Sequence, residues 1–133
     1  MLTILLTLIS PITASFNFMH ASNIVLGIEQ RLTEYSDYLE VISPLFDDSF
    51  SFRGCDNMLK NAIDMAWYIH ETTVPLDKVL VSLKEYDENR ISYAIREMYS
   101  KTSCIIRDSV IEKLNGKWVF TGGNEKCHDN CFE

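Results

Sequence analysis

Four cysteines limit the folds open to this chain, because two of them lie close together near the C-terminal end of the sequence. They are Cys55, Cys104, Cys127 and Cys131. An even number of cysteines in a secreted chain favours disulfides, and four cysteines allow three pairings. We discount a bond between Cys127 and Cys131, because so short a loop restricts the geometry and removes little entropy from the unfolded chain. We therefore expect one of them to pair with Cys55 and the other with Cys104, in either combination.

The first fifteen residues have the layout of a secretory signal peptide. An apolar run, Leu2–Ile9, is followed by Ser10-Pro11 and by the small residues at 13–15. The run is about half as long as a helix that crosses a bilayer, so we expect no stable membrane anchor. The prediction is that residues 1–15 are removed near Ser15 or Phe16. Residues 16–133 then form a single secreted, extracellular domain.

The charge of the chain argues against two classes of partner. With 12 Lys and Arg residues against 19 Asp and Glu residues, the net charge is −7. An acidic chain without a basic cluster repels the phosphates of nucleic acids and the surface of anionic membranes. We therefore expect neither nucleic-acid binding nor electrostatic docking to a membrane.

The spacing of apolar residues predicts a helical protein. Apolar positions recur every three or four residues over much of the chain. This pattern predicts four helices, at about 22–43, about 56–72, from Pro75 to Tyr86, and at about 89–114, with Asn115-Gly116 as the final stop. The two apolar stripes of the fourth helix do not share one line, which indicates a break near 100–103 or different neighbours along its length. The predicted fold class is all-α: a small, disulfide-stabilised bundle of four main helices with an irregular, disulfide-tethered tail.

The connection at 44–54 is rich in phenylalanine, since it contains Phe46, Phe50 and Phe52. Two interpretations are open. The three rings can plug one end of the bundle, or they can form an apolar lip that contacts a partner protein or borders a ligand cavity. They are our candidate partner- or ligand-contact residues.

The tail reads Lys126-Cys127-His128-Asp129-Asn130-Cys131-Phe132-Glu133. The stretch His128–Phe132 resembles part of the active-site helix of secreted phospholipases A2. The resemblance implies that His128 is a general base acting through a water molecule and that Asp129 binds calcium. However, Glu125 stands where that family has a cysteine, and the Gly- and Cys-rich calcium loop has no counterpart upstream. A base without calcium, oxyanion stabilisation or an orienting partner contributes little to catalysis, so we expect no enzyme.

The same tail contains several residue types that bind metals. Structural zinc sites use separated pairs of ligands, and consecutive ligands such as Cys127 and His128 do not easily share one ion. In an oxidising compartment the cysteines instead form disulfides. We therefore predict no metal site and no cofactor.

Three functions remain as hypotheses. The first is a small secreted binding protein that acts through protein–protein contact, as an extracellular effector, modulator or cytokine-like ligand. The second is an extracellular carrier of a small hydrophobic ligand, since Met and aromatic residues would suit an adaptable apolar pocket. The third is the calcium-dependent hydrolase that the tail suggests. Fold class alone does not decide among them.

Overall fold

The main element of the structure, a computed structural model that describes residues 16–127 and residue 131, is a six-stranded sheet. The helices are α1 (Phe18–Glu34), α2 (Leu39–Ile42) and α3 (Ala62–Glu71), with a 3₁₀ turn at Ser43–Leu45. The strands are β1 (Ser51–Arg53), β2 (Leu59–Asn61), β3 (Asp77–Tyr86), β4 (Arg90–Ser100), β5 (Ser103–Leu114) and β6 (Lys117–Glu125). The fold is mixed α+β, and the prediction of an all-α bundle of four helices is wrong. The predicted signal peptide lies outside the described residues.

The sheet has the order β2-β1-β6-β5-β4-β3. Strands β3 to β6 form an antiparallel meander, in which consecutive strands are neighbours. Strand β1 adds to the edge of β6 in parallel, with Phe52 opposite Gly123, and β2 then pairs with β1 in the antiparallel direction. The meander is thus extended by a short hairpin that comes from an earlier part of the chain.

The predicted fourth helix is a β-hairpin made of β4 and β5. Ile91, Tyr93 and Ile95 are fully buried and lie two residues apart, which is the two-residue period of a strand. The two apolar stripes lose their alignment near 100–103 because the chain reverses there, between the end of β4 and the start of β5. β-Branched and aromatic residues suit strands better than helices, and this preference outweighs the helical spacing.

The predicted third helix is also a strand, β3, at the edge of the sheet. It pairs with β4 over its length, with irregular registers between Leu80 and Ser82 and between Leu83 and Glu85. The stop predicted at Asn115-Gly116 is the turn between β5 and β6. Both residues have positive φ, 52° and 78°, which is the requirement of the type I′ turn that joins two strands in a tight hairpin.

The first two predicted helices exist in part, with other boundaries. Helix α1 begins after Asn17, whose side chain accepts a hydrogen bond from the His20 amide at 3.0 Å, and not after Ser22. The second predicted helix begins at Ala62 and not near Asp56, because 59–61 form β2. Asn61 and Asp64 make a reciprocal capping box at its start.

The core lies between helix α1 and the inner face of the sheet. Helix α1 buries residues at spacings of four, three and four, namely Ala21, Val25, Ile28 and Leu32. They form one cluster with the inward residues of β4 and with aromatic side chains from the α2–β1 connection. Bulges bend strands, and β3, β4 and β6 all contain such irregularities. In the described part of the chain, no helix combines the length and apolarity that a membrane span requires.

Candidate functional site

A cavity of about 310 Å³ lies between the inner face of the sheet and the helices. Its volume is at the lower end of the range of small-molecule sites, roughly 300–1,000 Å³. Helices α1 and α3 and all six strands contribute residues to the wall. Most of the wall is apolar, and its larger side chains are Leu32, Phe46, Phe50, Phe52, Met65, Ile69, Ile105 and Phe120.

The three phenylalanines singled out in the sequence form one side of this cavity. Phe46, Phe50 and Phe52 are each at most 6% exposed and belong to the core. The Phe46 ring stacks on the Phe120 ring at a centroid distance of 5.1 Å and meets the Phe50 ring edge-on at 4.9 Å. The three rings therefore line an interior cavity and do not form an exposed surface for a partner protein.

A buried ion pair lies beside the cavity. The Arg107 side chain reaches from β5 to α1, where Nη1 donates to Glu29 Oε2 at 3.0 Å and Nη2 donates to Glu29 Oε1. The hydroxyl of Tyr93 also donates to Glu29 Oε2. Arg107 lines the cavity, whereas Glu29 and Tyr93 do not. All three residues are buried. Forked Arg–carboxylate pairs of this kind fix both partners in orientation.

A second carboxylate and a second cation complete the cluster. Arg107 Nε donates to Glu97 Oε1 at 3.0 Å, and Lys78 Nζ donates to Glu29 Oε1 at the same distance. Lys78 Nζ lies 3.8 Å from Glu97 Oε2. Both Lys78 and Glu97 line the cavity. Two carboxylates thus face two cations, and the cluster, here named the ion cluster (Glu29, Lys78, Glu97, Arg107), has no net charge.

The ion cluster keeps Glu29 and Arg107 ionised. Burial by itself raises the pKa of Glu29, but the charges of Arg107 and Lys78 outweigh it and lower the pKa from 4.5 to about 2. Burial also lowers the pKa of Arg107, and the charges of Glu29 and Glu97 more than reverse that effect, so the pKa is raised well above its ordinary value. Glu29 is therefore a very weak base at neutral pH, and Arg107 cannot give up a proton.

Two residues with hydroxyl groups, Ser109 and Tyr99, line the cavity together with Arg107 and Glu97. Ser109 Oγ accepts a hydrogen bond from Arg107 Nη1 at 2.6 Å, and Ser109 lines the cavity. Tyr99 lies on the same wall, where burial, together with the charge of Glu97, raises the pKa of its hydroxyl. The Tyr99 side chain therefore stays neutral, and its hydroxyl can both donate and accept.

One disulfide lies at the edge of the cavity. Cys55, which lines the cavity, is bonded to Cys127, with the two Cα atoms 5.4 Å apart. Lys60 and Tyr68 also line the cavity, and Lys60 Nζ lies 4.8 Å from the centroid of the Tyr68 ring. The second disulfide joins Cys104 to Cys131, with Cα atoms 6.2 Å apart. Both bonds tie the end of the chain back to earlier segments.

Of the tail residues that suggested chemistry, the structure describes Cys127 and Cys131. His128 and Asp129 lie outside the described residues. Cys55, Glu125 and Cys127 bring ligand-type atoms within 4.8 Å of one another. Since the two sulfurs are bonded to each other, they present no thiolate to a metal.

The ion cluster was missed in the sequence. Glu97 continues the inward series Ile91, Tyr93 and Ile95 of β4, and Arg107 lies on β5 opposite Ile95. A two-residue period in this region would have placed both charged side chains inside the fold. The helical interpretation did not single out either residue.

Comparison with solved structures establishes the fold. The structure is similar to an NTF2-like protein of unknown function from Shewanella baltica, with a TM-score of 0.65 and 12% identity over 87% of this chain and 100% of that chain. It is also similar to an NTF2-like protein of unknown function from Silicibacter pomeroyi, with a TM-score of 0.65 and 8% identity over 84% and 98% of the two chains. A third, from Rhodospirillum rubrum, is described as an NTF2-like protein of unknown function in nutrient uptake. It has a TM-score of 0.63 and 14% identity over 77% and 97%.

No protein-family model matches the sequence. No curated protein matches it either. The likeness to the solved structures therefore shows an NTF2-like α+β fold and carries no function by itself.

Proposed function

We propose that the protein binds a small, largely apolar molecule in the cavity and acts as its carrier. The observation that carries this proposal is the cavity of about 310 Å³, whose wall is mostly aromatic and aliphatic and also contains polar and charged side chains. Small-molecule sites have this composition, since apolar walls supply affinity and a few polar groups fix the orientation. The fold of the chain is compatible with a small-ligand role.

The proposal is for binding and not for catalysis. The Glu29 carboxylate is held by Arg107, Lys78 and Tyr93, and its pKa of about 2 makes it a poor proton acceptor near neutral pH. The strongest polar contacts of the cluster are made within the protein, so they stabilise the fold before any ligand arrives. The predicted signal peptide and the two disulfides support a carrier that works outside the cell.

The test uses an uncharged fluorescent dye, N-phenyl-1-naphthylamine, which brightens in apolar sites. We expect one dye per protein, competed by small apolar molecules. Ile105→Trp should fill the cavity and abolish binding, because Ile105 lies on its wall. The matched control, Ile63→Trp, changes a side chain that is 69% exposed on α3 and should leave binding intact. Absence of dye binding, or equal binding by both variants when both are folded by circular dichroism, would overturn the proposal.

A second proposed function is contact with a partner protein, and it is supported by a different surface. Ile63 and Trp67 lie one turn apart on α3 and are 69% and 47% exposed, and the neighbouring Met58 and Leu59 are also exposed. Exposed apolar groups of this size often mark interaction sites. Trp67→Asp should abolish capture of a partner from extracellular fluid, whereas Glu88→Asp on an exposed turn should not. Equal capture by the two variants would remove this surface from consideration.

A further inference from the structure

We propose that the ligand of the cavity carries an uncharged hydroxyl head group, which donates a hydrogen bond to Glu97 Oε2. This inference rests on the proposed ligand-binding function and adds the chemical class of the ligand. The first observation is an acceptor without a donor. Glu97 Oε1 accepts from Arg107 Nε at 3.0 Å, but Oε2 accepts no hydrogen bond from any residue in the described part of the chain. Lys78 Nζ lies 3.8 Å from Oε2.

This acceptor belongs to a mostly buried side chain of the cavity wall. The side chain of Glu97 is 9% exposed, and the residue lines the cavity wall. A carboxylate oxygen on a cavity wall that has no protein donor can accept a hydrogen bond from a ligand. A ligand that displaces water from this oxygen and brings an O–H group replaces the hydrogen bond that the water made. The same ligand without a donor loses that hydrogen bond.

The groups around Glu97 can also donate to the head group. Ser109 Oγ accepts from Arg107, so its own proton remains for another acceptor. The Tyr99 hydroxyl makes no hydrogen bond to any residue within 16–127, and Tyr99 also lines the cavity. A hydroxyl head group can donate to Glu97 and accept from either of these groups at the same time. A ketone or an ether can only accept.

The charge balance of the ion cluster disfavours a charged head group. Lys78 and Arg107 are opposed by Glu29 and Glu97, so the cluster is neutral as it stands. A carboxylate ligand would add a net negative charge beside Glu97, and an ammonium ligand would add a net positive charge beside Lys78. Beside this cluster either charge would be desolvated, and no unpaired opposite charge of the cluster is there to receive it. An alcohol avoids both penalties.

The experiment compares three ligands with the same chain: 1-octanol, octanoate and octylammonium at pH 7. Each displaces N-phenyl-1-naphthylamine from the wild-type protein, and we expect the alcohol to bind at least tenfold more tightly than either ion. Glu97→Gln removes one negative charge from the neutral cluster and keeps the side-chain shape. The ratio of octanoate affinity to octanol affinity should then rise at least tenfold. The matched control, Glu88→Gln on the exposed β3–β4 turn, should keep the wild-type ratio.

The outcomes separate this inference from the function on which it rests. If neither the dye nor any octyl compound binds, both the carrier function and the hydroxyl ligand are wrong. If the octyl compounds displace the dye but an ion binds as tightly as the alcohol, the carrier function stands and the hydroxyl head group is wrong. The same conclusion follows if Glu97→Gln and Glu88→Gln show equal affinity ratios.

Discussion

Arg107 of β5 donates hydrogen bonds to both carboxylate oxygens of Glu29, a residue of α1 that lies 78 positions earlier in the chain. The pair joins the N-terminal helix to the middle of the sheet through the interior. Both residues are buried, since Arg107 is 6% exposed and Glu29 is 2% exposed. Each partner therefore depends on the other for its charge, and the helix cannot shift along the sheet without exposing one of them.

Removal of one partner should be far more harmful than removal of both. Arg107→Met leaves the Glu29 carboxylate buried with Lys78 as its remaining cation, and we expect a loss of about 3–5 kcal/mol in the free energy of unfolding. The double variant Glu29→Leu/Arg107→Met buries no charge from this pair, and its loss should be smaller. Urea unfolding of the two single variants and the double variant measures this coupling. Losses that simply add would show that the two side chains do not depend on each other.

Stability should fall in acid because of Glu29. The pKa of Glu29 is lowered from 4.5 to about 2 on folding, so the unfolded state binds a proton more readily than the folded state. The stabilisation by ionised Glu29 is fully present above about pH 5 and is lost as the pH falls toward 2. The loss in the free energy of unfolding is on the order of 3 kcal/mol. Urea unfolding of wild type and Glu29→Gln at several pH values tests this. A stability difference between the two that does not shrink in acid would contradict it.

Two glycine-to-alanine substitutions should have opposite effects. A Cβ atom at Gly123 would lie 2.6 Å from the Asp108 carbonyl oxygen, where β6 lies between β1 and β5. Backbone must therefore move, and Gly123→Ala should lower the melting temperature. Gly27 lies on the exposed face of α1, where a Cβ atom would meet nothing within 4 Å outside the backbone of its own helix. Gly27→Ala should therefore stabilise by about 0.5–1 kcal/mol. Thermal unfolding measures both, and equal shifts would contradict the account.

The two disulfides should contribute unequally. The Cys55–Cys127 bond closes a separation of 72 residues, and the Cys104–Cys131 bond closes 27. In the chain-entropy relation these loops correspond to about 4.4 and about 3.5 kcal/mol. Replacement of the first pair by alanine should therefore lower the free energy of unfolding more than replacement of the second pair. Urea unfolding of each double variant under oxidising conditions is the measurement, and the reverse order would contradict the prediction.

Some features of the molecule could be predicted from the sequence and others could not, for physical reasons. The helical spacing of Ile28 and Leu32 predicts a helix in this region, and α1 contains both residues although its bounds differ from the predicted ones. In β4 the apolar residues fit both a helical and a two-residue period, and the choice depends on pairing with β5, which a local pattern does not contain. Asn115-Gly116 was a usable signal, since this pair is typical of a tight hairpin between strands.

The candidate site was less predictable than the fold. Phe46, Phe50 and Phe52 were identified as one apolar group, but their position inside the protein depends on β1 adding to β6 across the chain. The charged pair of Glu29 and Arg107 joins a helix to a strand, and only their folded positions show that the two charges are buried together. Charged residues in a sequence are most often solvated, so composition gave no reason to place them inside.

The order of the strands has a consequence for the timing of folding. Strands β3 to β6 are joined by short turns, whereas α1 and β1 reach the sheet over long separations. Local contacts generally form before distant ones, because closing a long loop costs more entropy. We expect the meander to be formed in the folding transition state and the cavity to be enclosed afterwards. A bound ligand such as 1-octanol should then slow unfolding and leave the folding rate unchanged in stopped-flow experiments, and a faster folding rate would contradict this order. The bound ligand would thus slow the unfolding of the protein without accelerating its folding.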